Sequence, residues 1–475
     1  LLWTDKRRRE MESWVEDVLL KKGYRVNHNA QAVIQTCDDW YSNRVIEDFH
    51  RRRTLQGVEY ELNRLNFAKR CCSDDAKLCE VIEIHAGAGE QSVMVNNILA
   101  KNEFSVQYRK QLEQTSAVGT SACYVRLDNA DIYSDGSIRN GSIRLNYVEA
   151  DCFIPLTVVN DIVTEAAFSG SSLKGGRKQT TLVLFLLSEA GTYTAETHIF
   201  DEYGSEQTEL ASIISLGDVK PFAVMRNAEV NNLDDMTGYG LPKLVNTIPV
   251  LKVLDLCYNV LFSDLDKAEK IILINEMLCE LDSETGKPRM TPEQKKIFMM
   301  IGEKLPEEKE VIQEYNPVIR IDEITKSFEL ALSLLSMNFG YGTKKYSFEN
   351  GQITTATEYI GERQDQMQEL NRQRQEAAKY IQDICRAVMW FSNYFHGTGY
   401  NIEGGILVDF DDSYVTDRET ELERVRNDAL QFDIPKLTTW YLMQAYSLTE
   451  EEADALVQEK RLREEELEKD EESED

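Results

Sequence analysis

Gly238-Tyr239-Gly240-Leu241-Pro242 is the stretch on which the fold turns. After Gly238 and Gly240 the chain turns strongly helical. Pro242 suits a first helical turn, where its missing N–H costs little. Beyond it, Leu244, Ile248, Leu251, Leu254, Tyr258, Leu261 and Leu265 recur every three or four residues. That spacing predicts a helix with one continuous apolar stripe, opened by Leu241-Pro242. Pro249 falls inside the stripe, so the helix either kinks there or begins there.

Upstream the pattern changes twice. Broken apolar stripes around Trp14-Val15, Val18-Leu19, Leu62 and Leu65 predict helices up to about Ala117. Residues 121–222 read as strands: Cys123–Leu127, the alternating Ile143-Arg144-Leu145-Asn146-Tyr147, Thr180–Leu187 and Tyr193–Phe200. Turn dipeptides punctuate them at Asp135-Gly136, Asn140-Gly141 and Ala190-Gly191.

Downstream, Ile271–Ile274 is a β-type run, and Met277–Pro317 is mixed, with a short helix expected from Thr291. Asp322 is the expected N-cap of a second helix, through Phe328, Leu332 and Leu335, with Gly340 just past its end. Residues 340–355 collect four turn points (Gly340, Gly342, Asn350, Gly351) and the basic pair Lys344-Lys345. Thr355-x-x-Glu358 is a capping box opening a long helix, with Ile360, Met367, Leu370, Ala377, Ile381, Ile384, Val388 and Phe391 on one face. Gln364 and Arg374 interrupt any sustained heptad, which argues against a coiled-coil scaffold. Ile406–Phe410 reads as a strand. Short helices are expected after Thr416, Asp433 and Ser447. Nine of the last twelve residues, Glu464–Asp475, are acidic, the mark of a solvated tail. The fold class this predicts is α+β, predominantly α-helical.

The 475 residues carry 53 basic and 83 acidic side chains, a formal net charge of −30. Such a chain is ill suited to wrapping nucleic acid, which relies on Lys and Arg displacing counterions, or to docking on an anionic membrane. No apolar run reaches membrane-spanning length. No apolar stretch follows Lys6-Arg7-Arg8-Arg9, so no secretory leader is expected there. Cys71, Cys72 and Cys79 have no histidine at zinc-ligand spacing and read as reduced, metal-free thiols.

The sharpest catalytic feature is Val81-Ile82-Glu83-Ile84-His85-Ala86-Gly87-Ala88-Gly89. A strand ending in Gly-x-Gly resembles the first motif of nucleotide-cofactor methyltransferases, and residues 81–120 are the alternative reading as such an enzyme. Two glycines without following strand–helix units are a weak signal, and a plain turn after a strand is the preferred reading. Gly175-Gly176-Arg177-Lys178 lacks Walker spacing and reads as a hairpin tip. No Ser or Cys sits in a recognisable nucleophile motif.

The order of segments resembles the portal (head-to-tail connector) proteins of tailed double-stranded DNA phages, in the siphovirus branch of Gram-positive hosts. The residues that carry the likeness are Tyr147–Leu156, Lys220-Pro221-Phe222 through Asn231-Asn232, Gly238–Pro242 with Leu251-Lys252-Val253-Leu254-Asp255, Gly351–Glu358, and Thr449–Glu459. It covers most of the chain from about residue 80; the first eighty residues and His85–Gly89 depart from it. The resemblance implies a non-enzymatic ring, usually of twelve subunits, at one capsid vertex, through which genome DNA is packaged and ejected. It implies a wing at 1–240, a stem helix at 241–270, a clip at 271–321 and a second stem helix at 322–339. A tunnel loop at 340–355, a returning wing helix and strand at 356–414, and a crown with acidic tail at 415–475 complete the set. It implies DNA-channel residues Lys344, Lys345, Tyr346 and Asn350. It further implies no cofactor, no metal and no membrane. The partners it implies are the terminase large subunit, head–tail connector proteins, major capsid and scaffolding proteins, and the passing DNA. The location would be the virion, with the host cytoplasm during assembly.

Overall fold

The structure is a computed structural model. It describes residues 13–87, 89–129, 131–132, 138–139, 141–208, 212–268, 271–275, 298–301, 312–315, 318–343, 345–347, 356–411, 425–429, 431, 434–446 and 453–460. The chain divides into two units, Leu1–Val408 and Asp409–Asp475.

The first unit opens with helices α1 (Ser13–Lys21), α2 (His28–Tyr41) and α3 (Glu47–His50), then a hairpin of β1 (Arg51–Arg53) and β2 (Glu59–Glu61). Helix α4 (Phe67–Lys77), strand β3 (Val81–Ala86) and helices α5 (Glu90–Lys101) and α6 (Phe104–Val118) follow. The N-terminal part is thus helical as expected, with the exposed β1–β2 hairpin added.

Nine of the following ten strands lie between residues 120 and 215: β4 (Thr120–Asp128), β5 (Asp131–Ile132), β6 (Ile138–Arg139), β7 (Ser142–Glu149), β8 (Phe153–Val159), β9 (Ile162–Lys174), β10 (Arg177–Leu187), β11 (Tyr193–Phe200) and β12 (Ser212–Ser215). The tenth is β13 (Phe222–Arg226). Eight of them build a five-stranded antiparallel sheet, β12-β11-β10-β9-β8, and a three-stranded one, β13-β4-β7, while β5 pairs with β6. Gly175 and Gly176, at φ +60° and +81°, form the two-residue turn between paired Lys174 and Arg177. The hairpin-tip reading of that glycine pair holds.

Strand periodicity explains the two faces of the larger sheet. Ile154, Ala167, Leu182 and Leu184 point to one side, where Val15 and Leu19 of α1 cover them. Phe153, Phe168 and Phe185 point to the other and meet Tyr124 and Phe222 of the smaller sheet, with ring centroids 4.9–5.8 Å apart. All five rings are buried.

The central helix, α7, runs from Ile248 to Asp266 with Pro249 in its first turn. It therefore begins at Ile248, with Pro249 at its start, rather than at Leu241, and residues 242–247 form turns before it. Its stripe is buried at Leu251 and Leu254, half-buried at Tyr258 and Leu261, and exposed at Leu265, so its far half leaves the core. Strands β14 (Ile271–Asn275), β15 (Phe298–Ile301) and β16 (Ile312–Tyr315) form a small sheet, β14 parallel to β15 and antiparallel to β16. Helix α8 (Ile321–Asn338) then returns along α7. Arg320 Nε and Nη2 each donate to Asp264 at 3.0 Å at one end, and Asn338 Nδ2 donates to Asn246 O at the other, so the two helices run antiparallel. Asp322 is not the N-cap; Arg320 occupies that position and Asp322 lies in the first turn.

Gly340 closes α8 as expected. At φ +75° its N–H donates to Met337 O, and the next N–H, of Tyr341, donates to Ser336 O. Helix α9 (Ala356–His396) is 41 residues long and buries Leu370, Ala377, Ile381, Ile384, Val388 and Phe391. It packs on β13 and β4. Strand β17 (Ile406–Phe410) stands where the sequence places it. In the second unit, helix α10 (Pro435–Tyr446) is tied to the helical turn at 453–460 by Thr439 Oγ1 donating to Asp454 Oδ1 at 2.8 Å. The Thr291 helix, the capping residues Thr355, Thr416 and Ser447, the turns at Asp135-Gly136 and Asn140, Asp433 and the acidic tail lie outside the described residues. Helices and strands are both extensive, and the molecule is mixed α/β with helix the larger share.

Candidate functional site

The glycines of Gly238-Tyr239-Gly240 serve a backbone crossing. A Cβ on Gly119, at the end of α6, would lie 2.2 Å from Gly240 O, and one on Gly240 would lie 2.3 Å from Gly119 O. Only glycine permits that approach. The crossing is sealed by Gly240 N–H donating to Thr120 Oγ1 (2.9 Å), Asn227 N–H to Gly119 O (3.1 Å) and Lys243 N–H to Ser116 O (3.1 Å). Tyr239 reaches across to donate its hydroxyl to Phe153 O at 2.9 Å. Within residues 241–247 the Lys243 N–H is held by α6, the Leu241 carbonyl accepts from Asn227 Nδ2, and Val245 and Thr247 N–H close short turns onto Pro242 O and Leu244 O.

The crossing delivers Lys243 into the interior. Its side chain is 1% exposed, with Nζ 2.9 Å from Asp75 Oδ1 of α4 and 3.4 Å from Glu369 Oε1 of α9. Burial works to strip the proton. The Asp75 and Glu369 carboxylates, with Glu229 further off, more than offset it and hold the ammonium above the ordinary lysine value. Asp75 Oδ1 also accepts the Tyr341 hydroxyl at 2.8 Å. Burial and then the neighbouring Asp75 push that phenol well up. Burial also raises the Glu229 carboxyl, against the pull of Lys243. Four segments remote in sequence thus meet on one buried charge.

The segment after Gly340 begins at this cluster. Tyr341 is buried and stacks on Phe339 at 6.1 Å. Tyr346 is half-buried, edge-on to Tyr341 at 6.3 Å, with its N–H donating to Ser336 Oγ (3.1 Å) and its hydroxyl to Asp74 Oδ2 (3.4 Å). Lys345 is exposed, its Nζ 5.7 Å from the centre of the Tyr341 ring. Of the four residues that the resemblance names, Lys345 faces solvent, Tyr346 turns inward, and Lys344 and Asn350 lie outside the described residues. The start of this connection is anchored on α4 through the Tyr341 and Tyr346 hydroxyls. Sequence reasoning missed Lys243, Asp75, Glu369 and Tyr341. A lone lysine inside Leu241-Pro242-Lys243-Leu244-Val245 was the one available signal.

A second anchor holds α7 itself. Asp255, 4% exposed, accepts the Leu65 N–H at Oδ1 (2.9 Å) and faces His50 Nε2 at Oδ2 (3.2 Å). His50 Nδ1 accepts the Ile46 N–H, so Nε2 carries the proton donated to Asp255.

At the methyltransferase-like motif, strand β3 and helix α5 do form, and Ala88 between them lies outside the described residues. Gly87, at φ +84°, is covered by Gln91, whose Nε2 lies 2.6 Å from where a Cβ would be. Gln91 also donates to Asn401 O and accepts the Asn401 N–H. This side chain covers Gly87, while an added Cβ on Gly89 would meet nothing within 4 Å. The parallel pair β14–β15 lies far along the chain from β3. Burial raises the thiols of Cys71 and Cys79 to about 12, and that of Cys72 well up.

No family model matches the chain, and no curated protein matches it. Among solved structures, the chain is similar to one from the neck of a native GTA particle computed with C12 symmetry. The identity is 13%, covering 75% of this chain and 84% of that one, with a TM-score of 0.37. No helix among the described residues is long and apolar enough to cross a membrane.

Proposed function

We propose that this chain is a structural, non-enzymatic subunit of a ring, the portal through which phage genome DNA is packaged and ejected. The observation that carries the reading is the α7–α8 hairpin. Leu256 and Val260 on α7 and Leu330, Leu334 and Met337 on α8 are exposed, at 39–64% of their surfaces. Each helix has a second apolar stripe that its own subunit does not cover. Two different stripes on one element suit a head-to-tail contact, in which copies close into a ring without open ends.

On this reading α7 and α8 are the stem, β14–β16 belong to the clip that docks the terminase large subunit and later the connector proteins, and residues 340–355 face the DNA. Residues 1–240 and 356–414 form the wing. The crown at 415–475 faces the capsid interior with its scaffolding and major capsid proteins. Twelve is the subunit number that the resemblance favours, and the virion vertex is its place, after assembly in the host cytoplasm. The charge of −30 supports a conduit, since an acidic wall gives DNA few counterion-releasing contacts to hold it. The test is native mass spectrometry with low-resolution electron microscopy of purified protein. Closed rings near twelve copies are expected. Monomer or dimer alone, across concentration and salt and in the presence of scaffolding protein, would refute the proposal.

A further inference from the structure

We propose that Lys243 is a positioning residue for the connection after Gly340, and that Lys345 takes its place from the root of α7 through it. The proposal rests on the portal reading only for what that posture serves; the contacts stand without it. Both carboxylates that hold the Lys243 ammonium end on the loop. Asp75 Oδ1, 2.9 Å from Nζ, also accepts the Tyr341 hydroxyl at 2.8 Å. Glu369, 3.4 Å from Nζ, lays its stem against the first loop residue: a Cβ on Gly340 would lie 3.1 Å from Glu369 Cγ. The Tyr341 ring in turn carries Lys345 Nζ at 5.7 Å. The path runs without a gap from a buried ammonium to a carboxylate, a phenol, its ring and an exposed ammonium.

The chemistry explains why a cation is needed at the centre. Asp75 and Glu369 bring two negative charges into one interior site, and in that low-dielectric setting they repel unless a positive charge lies between them. Without the ammonium the two carboxylates move apart, and Tyr341 and Gly340 move with them. Lys243 sits between the Gly119–Gly240 crossing and the first turn of α7. A shift of α7 is therefore passed to the loop, and a shift of the loop to α7, through contacts that are continuous. A lysine that merely added stability would loosen every part of the core alike.

The test is hydrogen exchange by mass spectrometry on the full chain at pH 7. It reads residues 339–347, where Gly340, Tyr341 and Tyr346 N–H groups donate to Met337 O, Ser336 O and Ser336 Oγ. Tyr341→Phe removes one hydroxyl and keeps the ring; Lys243→Met removes the ammonium. Both are expected to speed exchange at 339–347 at least tenfold, while β4 and β13 exchange in Tyr341→Phe as in the unchanged protein. Loop exchange within twofold of the unchanged protein, or equal loosening of β4 and β13 in Tyr341→Phe, overturns the proposal. Should Lys243→Met fail to fold, Asp75→Asn decides, since it keeps an acceptor and loses the charge that the ammonium holds. Faster loop exchange is expected there too, and unchanged exchange overturns the proposal. Ring assembly is read separately by mass, so failure of the portal reading and failure of this one are told apart.

Discussion

Replacing Gly119 by alanine tests whether the crossing with Gly240 organises the root of α7. Gly23 provides the control, because it has nearly the same backbone, φ +88° against +86°, with nothing within 4 Å of an added Cβ. A left-handed alanine costs about 1–2 kcal/mol at either site. At Gly119 the new methyl would also lie 2.2 Å from Gly240 O, 2.8 Å from Pro242 N and 2.9 Å from Gly240 C. All three are backbone atoms and cannot rotate aside. The two segments must separate, which adds about 1–3 kcal/mol of overpacking strain. Gly23→Ala should therefore lose about 1–2 kcal/mol and Gly119→Ala about 2–5 kcal/mol. Urea unfolding followed by tryptophan fluorescence measures both, provided the slope m is unchanged. A Gly119→Ala shift no larger than that of Gly23→Ala would refute the reasoning. Gly240→Ala, whose Cβ would lie 2.3 Å from Gly119 O, should be damaging by the same collision.

Three further outcomes are expected. Burial raises the thiols of Cys37, Cys71, Cys79 and Cys385 from an ordinary 9.0 to about 12. The folded values lie above the unfolded one, so the stability they contribute is complete below pH 9.0 and is lost as pH rises toward about 12. Urea midpoints should fall across that window, and a flat profile would contradict it; at pH 7, N-ethylmaleimide should label half-buried Cys152 and Cys257 before these four. Leu330→Asp and Leu334→Asp should abolish ring assembly, read by native mass, while changing subunit stability by less than about 0.5 kcal/mol; assembly unaffected by both would remove the stripe from the interface. Lys344→Ala with Lys345→Ala should leave assembly intact and alter DNA retention in packaged particles. Loss of assembly instead would place these lysines in a subunit contact.

Local patterning carried a large share of the fold. Helices α7, α8 and α9, strands β4, β7, β10 and β11, the Gly175-Gly176 turn and the Gly340 helix end all follow from spacing and turn chemistry along the chain. Strands β8, β9 and β12 were not legible. Ile162–Lys174 holds Ala166-Ala167-Phe168-Ser169-Gly170 rather than a clear alternation, and it is a strand because β8 and β10 flank it on both sides. The Asp322 cap failed for a related reason: Arg320, held by Asp264 across the hairpin, takes the position before the helix.

The sequence by itself determined the long helices and part of the strands, the acidic charge of −30 and the glycines at sharp turns. These depend on neighbours within a few residues, where side-chain spacing and backbone freedom act directly. Only the tertiary structure decided where α7 begins, and that Lys243, Asp75, Tyr341 and Glu369 share one buried charge. A charge stays in the interior only when its partners arrive from elsewhere, and these partners come from α4, α9 and the end of α8. No periodicity along the chain records that meeting, because it is made by the packing of segments hundreds of residues apart.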